Sequence, residues 1–186
     1  IRGIELRVQT ETQRIDLLGY AVERTKELIG EIEGLQKDRI DRAERIINCL
    51  EKEEEISLGL EPESGIGRPH IATAIDESDA PYDYTKAFEE LIGNGCDCYF
   101  ARDITKVNKG IRLLKDACSV VGLAHPLRYD HPEAALAVTD NLDAVERYYP
   151  YGSDVDTSIV DRTIERNDLL VTGGSDAHNK QLGKAG

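Results

Sequence analysis

Two apolar stretches in the second half of the chain end in side chains that bind metal ions. Leu170-Val171-Thr172-Gly173-Gly174-Ser175-Asp176-Ala177-His178 runs from an aliphatic strand pattern into an aspartate and a histidine, and Val121-Gly122-Leu123-Ala124-His125-Pro126 runs into a histidine. In a parallel β/α architecture the strand C-termini converge on one face, which would bring His125, Asp176 and His178 together from distant parts of the chain. Strand alternation points residues 176 and 178 the same way. The first residues supply the anionic half: Gly3-Ile4-Glu5-Leu6-Arg7-Val8 and Arg14-Ile15-Asp16-Leu17-Leu18-Gly19-Tyr20 are strand patterns carrying one carboxylate each, Glu5 and Asp16. Carboxylates mixed with imidazoles suit Zn, Mn or Fe near neutral pH. A carboxylate that can bridge, here Glu5, is what ions ~3.5–4 Å apart require, so the chemistry on offer is metal-assisted.

The elements that must position these residues fall into two zones. Residues 1 to 22 read as two β-strands, and from residue 104 onward helix and strand patterns alternate. Val107 to Cys118, Pro132 to Val138 and Val155 to Arg166 are helical; Ser119 to Ala124, Leu142 to Val145 and Leu169 to Thr172 are strands. Such alternation predicts βα units and a parallel sheet. Between the zones the chain is mainly helical, with Ile40, Ala43, Ile46, Ile47 and Leu50 recurring at helical spacing. The acidic run Glu51 to Glu55 reads as a solvated helix end or loop.

A turn-rich break, Glu61-Pro62-Glu63-Ser64-Gly65-Ile66-Gly67, precedes a helix whose first turn holds Pro69. Glycines that admit close approach, free N–H groups of the helix start and the Arg68 cation together suit an anion. Arg68 could equally pair with a nearby acid, and His70 could pack or cap the helix rather than touch substrate. Arg128 lies just past the His125-Pro126 turn, beside the candidate metal face. Tyr148, Tyr149 and Tyr151 follow a strand and either line the mouth, where a base could stack, or form an aromatic surface turn; His131 is read as exposed.

Gly-Ile-Glu at 3–5, Ala-His-Pro at 124–126 and Ser-Asp-Ala-His at 175–178 resemble the later motifs of the PHP (polymerase and histidinol phosphatase) superfamily of metal-dependent phosphoesterases. Gly67-Arg68-Pro69-His70-Ile71-Ala72, Ala87-Phe88-Glu89-Glu90-Leu91 with Tyr99, and Ala124-His125-Pro126-Leu127-Arg128-Tyr129 are similar to the branch containing nucleoside 3',5'-bisphosphate phosphatases and RNase AM. The resemblance runs in order along nearly the whole chain. It implies an α/β fold, a distorted (β/α)7-type barrel that is incomplete in this chain, interrupted by a mainly helical cap that closes over small substrates. The expected domains are residues 1–33 for the first part of the barrel, 34–103 for the cap and 104–186 for the second part. The family's opening His-x-His strand, and the Asp and His after it, have no counterpart in this sequence, so an N-terminal segment is expected to be missing. Asp16 stands where many relatives place a ligand histidine, which changes site charge and metal preference. The Lys that relatives often carry near Cys96 is also missing.

The resemblance implies two or three divalent ions (Mn, Fe or Zn) held by Glu5, Asp16, His125, Asp176 and His178. Of these, Glu5, His125, Asp176 and His178 carry catalysis. Water made acidic by the ions attacks phosphorus in line, and Arg68, His70 and Arg128 bind the substrate. The expected substrate is a small phosphorylated molecule, best a nucleoside 3',5'-bisphosphate or the 5' end of a short oligonucleotide. Two alternatives stay open: a phosphatase of another small metabolite, such as a sugar or histidinol phosphate, and a metal- or protein-binding relic without catalysis.

Composition sets the outer limits. The 186 residues carry a net charge of −13 with no Lys/Arg run, which argues against long nucleic acid. No apolar run has the ~18 residues of a membrane span and no signal-peptide pattern opens the chain, so a cytoplasmic protein is expected. Cys49, Cys96, Cys98 and Cys118 show no disulfide-framework spacing and read as reduced thiols, with Cys96-x-Cys98 only a weak metal motif.

Overall fold

The structure, a computed structural model, describes residues 2–63, 65–152 and 154–177. It divides into two compact units, Ile1–Leu28 with Ile104–Gly186, and Ile29–Asp103.

The first unit is built on strands β1 (Gly3–Gln9) and β2 (Arg14–Tyr20). Leu6 and Val8 on β1, and Ile15 and Leu17 on β2, are buried. Alternation therefore sends Glu5, Arg7, Arg14 and Asp16 to the opposite face. The loop between the strands is closed by Thr10, whose N–H and hydroxyl both donate to the Gln13 carbonyl. A connection this short forces antiparallel pairing, and its register sets Arg7 opposite Asp16.

The remaining strands are β3 (Thr105–Lys106), β4 (Val120–Leu123), β5 (Ala144–Tyr148) and β6 (Leu170–Gly173). They join the hairpin in one six-stranded sheet of order β3-β1-β2-β4-β5-β6. β4, β5 and β6 run parallel, as the βα alternation predicts, whereas β2 pairs with β4 antiparallel, so the sheet is mixed rather than parallel throughout. Helix α4 (Val107–Ala117) buries Ile111, Leu113 and Leu114. Its Gly110 passes so near Val8 that any Cβ there would collide with the valine side chain. Helix α5 (Pro132–Leu136) tightens into a 3₁₀ turn over Ala137–Asn141, and α6 begins at Ser158, later than the pattern places it, and ends at Asn167. The sheet and helices make a mixed α/β unit.

The second unit holds α1 (Lys26–Glu53) for most of its length, α2 (Arg68–Asp76), and α3 (Tyr84–Lys86), which widens into a π-helix over Ala87–Ile92. Ala43, Ile46 and Leu50 of α1 pack with Ile71, Ile75, Leu91 and Ile92 in one apolar core. Cys49 and Cys98 form a disulfide across it, which corrects their reading as reduced thiols and removes Cys98 from any metal motif. Their 49-residue separation follows from this core and from no local spacing rule. Cys96 is free and its thiol donates to the Glu89 carbonyl. No described helix is long and apolar enough to cross a membrane.

Candidate metal centre

Three of the expected ligands meet on the polar face of the sheet. Glu5 comes from β1, Asp16 from β2, and His125 from the turn just past β4. The His125 Nε2 lies 3.6 Å from Asp16 Oδ2 and 3.9 Å from Glu5 Oε1. One ligand atom from each lies within 4.8 Å of the other two, the spacing one ion needs. Two carboxylates and an imidazole suit a borderline divalent cation, so these residues fit the metal that the sequence implies.

The turn that presents His125 is a strained one. His125 has φ of +26°, a conformation costing roughly 1–3 kcal/mol that persists only when its surroundings over-determine it. Here they do. The His125 N–H donates to Glu146 Oε2 at 2.9 Å, its carbonyl accepts from Arg128 N at 3.0 Å, and Pro126 follows. Glu146 on β5 is buried, and Gly174 leaves room for it, since a Cβ at 174 would overlap the Glu146 carboxylate. The rings of Tyr129 and Tyr149 each sit 5.3 Å from that of His125. The Tyr129 hydroxyl accepts the Asp16 N–H at 2.8 Å.

Asp16 is buried, and a carboxylate taken out of water without a partner costs several kcal/mol. Arg7 compensates it with a two-pronged fork, Nε to Oδ1 and Nη2 to Oδ2, both at 2.7 Å. A second network lies beside it. Arg128 Nη1 donates to the Tyr149 hydroxyl at 2.7 Å and to Asp176 Oδ2 at 2.9 Å, and the Tyr149 hydroxyl donates to the same oxygen at 2.8 Å. Glu5, Arg7, Arg14, Asp16, His125, Arg128, Tyr129 and Asp176 line one cavity of about 410 Å³.

The electrostatics follow from this crowding. Burial works against a proton on His125, but Glu5, Asp16 and Glu146 outweigh it and raise its pKa. Burial raises the Glu146 carboxyl above the ordinary range, partly offset by the His125 N–H. The Tyr129 hydroxyl is pushed up by burial as well.

Glu5, Asp16 and His125 thus come together, and Asp176 and Arg128 line the same cavity joined to each other. His178 lies outside the described residues. Arg68 and His70 belong to the helical unit. Arg68 donates to the Ile92 carbonyl at 3.2 Å and stacks against Phe88 and Tyr99, while His70 Nδ1 accepts the Gly67 N–H at 3.2 Å and caps α2. His131 is exposed. Sequence reasoning missed Glu146 and Arg7. Arg7 stands two residues from Glu5 on the same strand face, a signal that alternation contained; Glu146 is a lone acid in an apolar strand, whose burial only the fold reveals.

No protein-family model matches the chain. No curated protein matches it. Solved structures do, among them two that are informative. A Bifidobacterium adolescentis protein, provisionally assigned as a metal-dependent phosphoesterase, is 26% identical with a TM-score of 0.69, over 98% of this chain and 71% of the other. An amidohydrolase from Chromobacterium violaceum, solved with sulfate and no metal, has a TM-score of 0.69 at 19% identity, over 98% of this chain and 69% of its own. The chain therefore shares its fold with proteins described as metal-dependent or hydrolytic enzymes.

Proposed function

We propose that the chain is a metal-dependent phosphoesterase of the PHP type, built on a (β/α)7-like barrel frame, acting on a small phosphorylated substrate. The observation that carries this reading is one cavity in which the Glu5, Asp16 and His125 ligand atoms converge beside Arg7, Arg14 and Arg128. A ligand set alone fits many hydrolases; guanidinium groups around it suit an anionic substrate such as a phosphate ester. The Bifidobacterium neighbour supports the same class.

Glu5, Asp16 and His125 would hold an ion, with Asp176 and His178 as further ligands. A divalent ion there supplies Lewis acidity, polarising a phosphoryl oxygen and acidifying water. Glu146 fixes the direction of His125 through the peptide N–H. Arg128, tied to Tyr149 and Asp176, offers a cation to the phosphoryl oxygens. Arg68 and His70 of the helical unit are proposed substrate contacts, Arg68 with its guanidinium laid on aromatic faces where a base could also stack. A nucleoside 3',5'-bisphosphate or the 5' end of a short oligonucleotide offers both a phosphate and a base.

The test combines elemental analysis of the purified protein with phosphate release from adenosine 3',5'-bisphosphate, with and without added Mn²⁺. Release should require Mn²⁺ and disappear in His125→Ala. Bound metal with release only from sugar or histidinol phosphates would keep the chemistry and change the substrate. Bound metal with no release from any phosphate ester would leave a non-catalytic relic.

A further inference from the structure

The Arg7 fork spans both oxygens of Asp16, a proposed metal ligand. Nη2 sits 2.7 Å from Oδ2, the same oxygen that faces His125 Nε2 at 3.6 Å. A cation already engages both oxygens of this proposed ligand. The fork uses the Nε–H and one hydrogen of Nη2, so Nη1 and the second hydrogen of Nη2 meet no acceptor among the described residues. The Arg7 side chain is 53% exposed and lines the cavity, as does Arg14.

We propose that Arg7 competes with the metal ion for Asp16 and is itself a contact for the substrate's phosphoryl group. Two effects of opposite sign act on the ion. By orienting Asp16, Arg7 would help it, as partners of ligands commonly do by ~10–100-fold. By holding the same carboxylate that an ion would use, its positive charge opposes binding, and at an effective dielectric of about 20 the repulsion between a guanidinium and a doubly charged ion on one carboxylate would exceed the gain from orientation. Solvent at the half-exposed guanidinium weakens the repulsion without changing its sign. Ion binding at Asp16 therefore loosens the fork and turns unspent N–H groups toward an anion in the cavity. The pair of Arg7 and Asp16 makes this position easily exchanged and supplies a cation to the phosphate.

The proposal rests on the phosphoesterase reading for the identity of the anion, but its test uses no ester, so loss of hydrolysis and loss of the competition register separately. Mn²⁺ and, in metal-free protein, inorganic phosphate are titrated calorimetrically into the wild type and Arg7→Gln. The variant should bind Mn²⁺ about tenfold or more tightly and phosphate about tenfold more weakly. Opposite shifts cannot come from a damaged fold, which weakens both. Mn²⁺ binding that is unchanged or weaker overturns the competition and makes Arg7 an orienting partner; unchanged phosphate binding overturns the contact. Should Arg7→Gln fail to fold, the wild type suffices: the Arg7 Nε–H resonance, protected by the fork, should lose protection from solvent exchange on adding Zn²⁺. Retained protection overturns the proposal.

Discussion

The two units handle polar groups in opposite ways. In the sheet unit, Asp16, His125 and Glu146 are buried together: Arg7 pairs Asp16, Glu146 accepts the His125 peptide N–H, and the His125 Nδ1 is buried with no hydrogen-bond partner among the described residues. In the helical unit, Arg42 is the one buried charged or polar side chain among the described residues. Its guanidinium is held below its ordinary pKa by burial and then by Arg68 and Arg102. The rest of that core is Ile, Leu and Ala, closed by the Cys49–Cys98 disulfide. Burying polar groups costs free energy unless each finds a partner. The sheet unit accepts that cost where its chemistry lies, and the helical unit is stabilised by apolar packing and a covalent tie. Stability and ion binding should therefore be separable by mutation.

The largest effect belongs to the disulfide. On the chain-entropy view, a cross-link across 49 residues contributes about 4 kcal/mol. Cys49→Ser with Cys98→Ser should lower the protection of Ile46 and Leu50 in amide exchange by that amount. Mn²⁺ affinity should stay within about twofold, because no proposed ligand lies between residues 29 and 103. A thiol titration of unfolded wild type should find only Cys96 and Cys118. A matching loss of Mn²⁺ affinity in the double variant would break the separation of the two units. The cystine is also the chemistry of an oxidising setting, or of the minority of intracellular proteins that keep one.

The middle effect falls on Glu146. Glu146→Ala leaves the buried His125 N–H without an acceptor, a loss of about 1–3 kcal/mol, and frees His125 to turn, which should weaken Mn²⁺ by about 10–100-fold. Glu146→Gln keeps an acceptor and should cost under about half as much. If the two variants lose equal stability, the carboxylate is not what holds the strained turn.

What could be read without coordinates divides along the same line. The α1 periodicity through Ile40, Ala43, Ile46 and Leu50 is a local property, and the strands carrying Glu5, Asp16 and His125 follow from alternation and flanking turns. The strand-end rule for β/α units concerned His125, Asp176 and His178, whereas Glu5 and Asp16 reach His125 because the hairpin's alternation sends both to the polar face beside β4. Four features were not read from the sequence. The antiparallel pairing of β2 with β4 and the Cys49–Cys98 tie depend on contacts between distant segments. Arg7 drew no notice because a solvated arginine on an edge face is ordinary until the register sets it opposite a buried aspartate. Glu146 was hidden because its partner is a peptide N–H, and no side-chain motif records that.

The smallest effect is a change with pH, and it tests the sheet unit from a third direction. In the metal-free protein His125 titrates above its ordinary 6.5, because Glu5, Asp16 and Glu146 favour its charged form over the burial that opposes it. That contribution is complete below pH 6.5 and fades as pH rises through the raised value in the folded chain. Glu146, pushed above 4.5 by burial, acts in the same direction, since the folded state holds its proton longer than the unfolded state does. Metal-free stability should therefore fall as pH climbs past 4.5 and again past 6.5. An ion needs the neutral imidazole and the ionised carboxylates, so it offsets the loss in just that range. The rise in Tm on adding Mn²⁺ should be a few degrees larger at about pH 8 than at about pH 5.5, and the difference should shrink in His125→Asn. An equal rise at both values would mean that the ion binds without displacing a proton from His125, and the ligand triangle of Glu5, Asp16 and His125 would have to be abandoned.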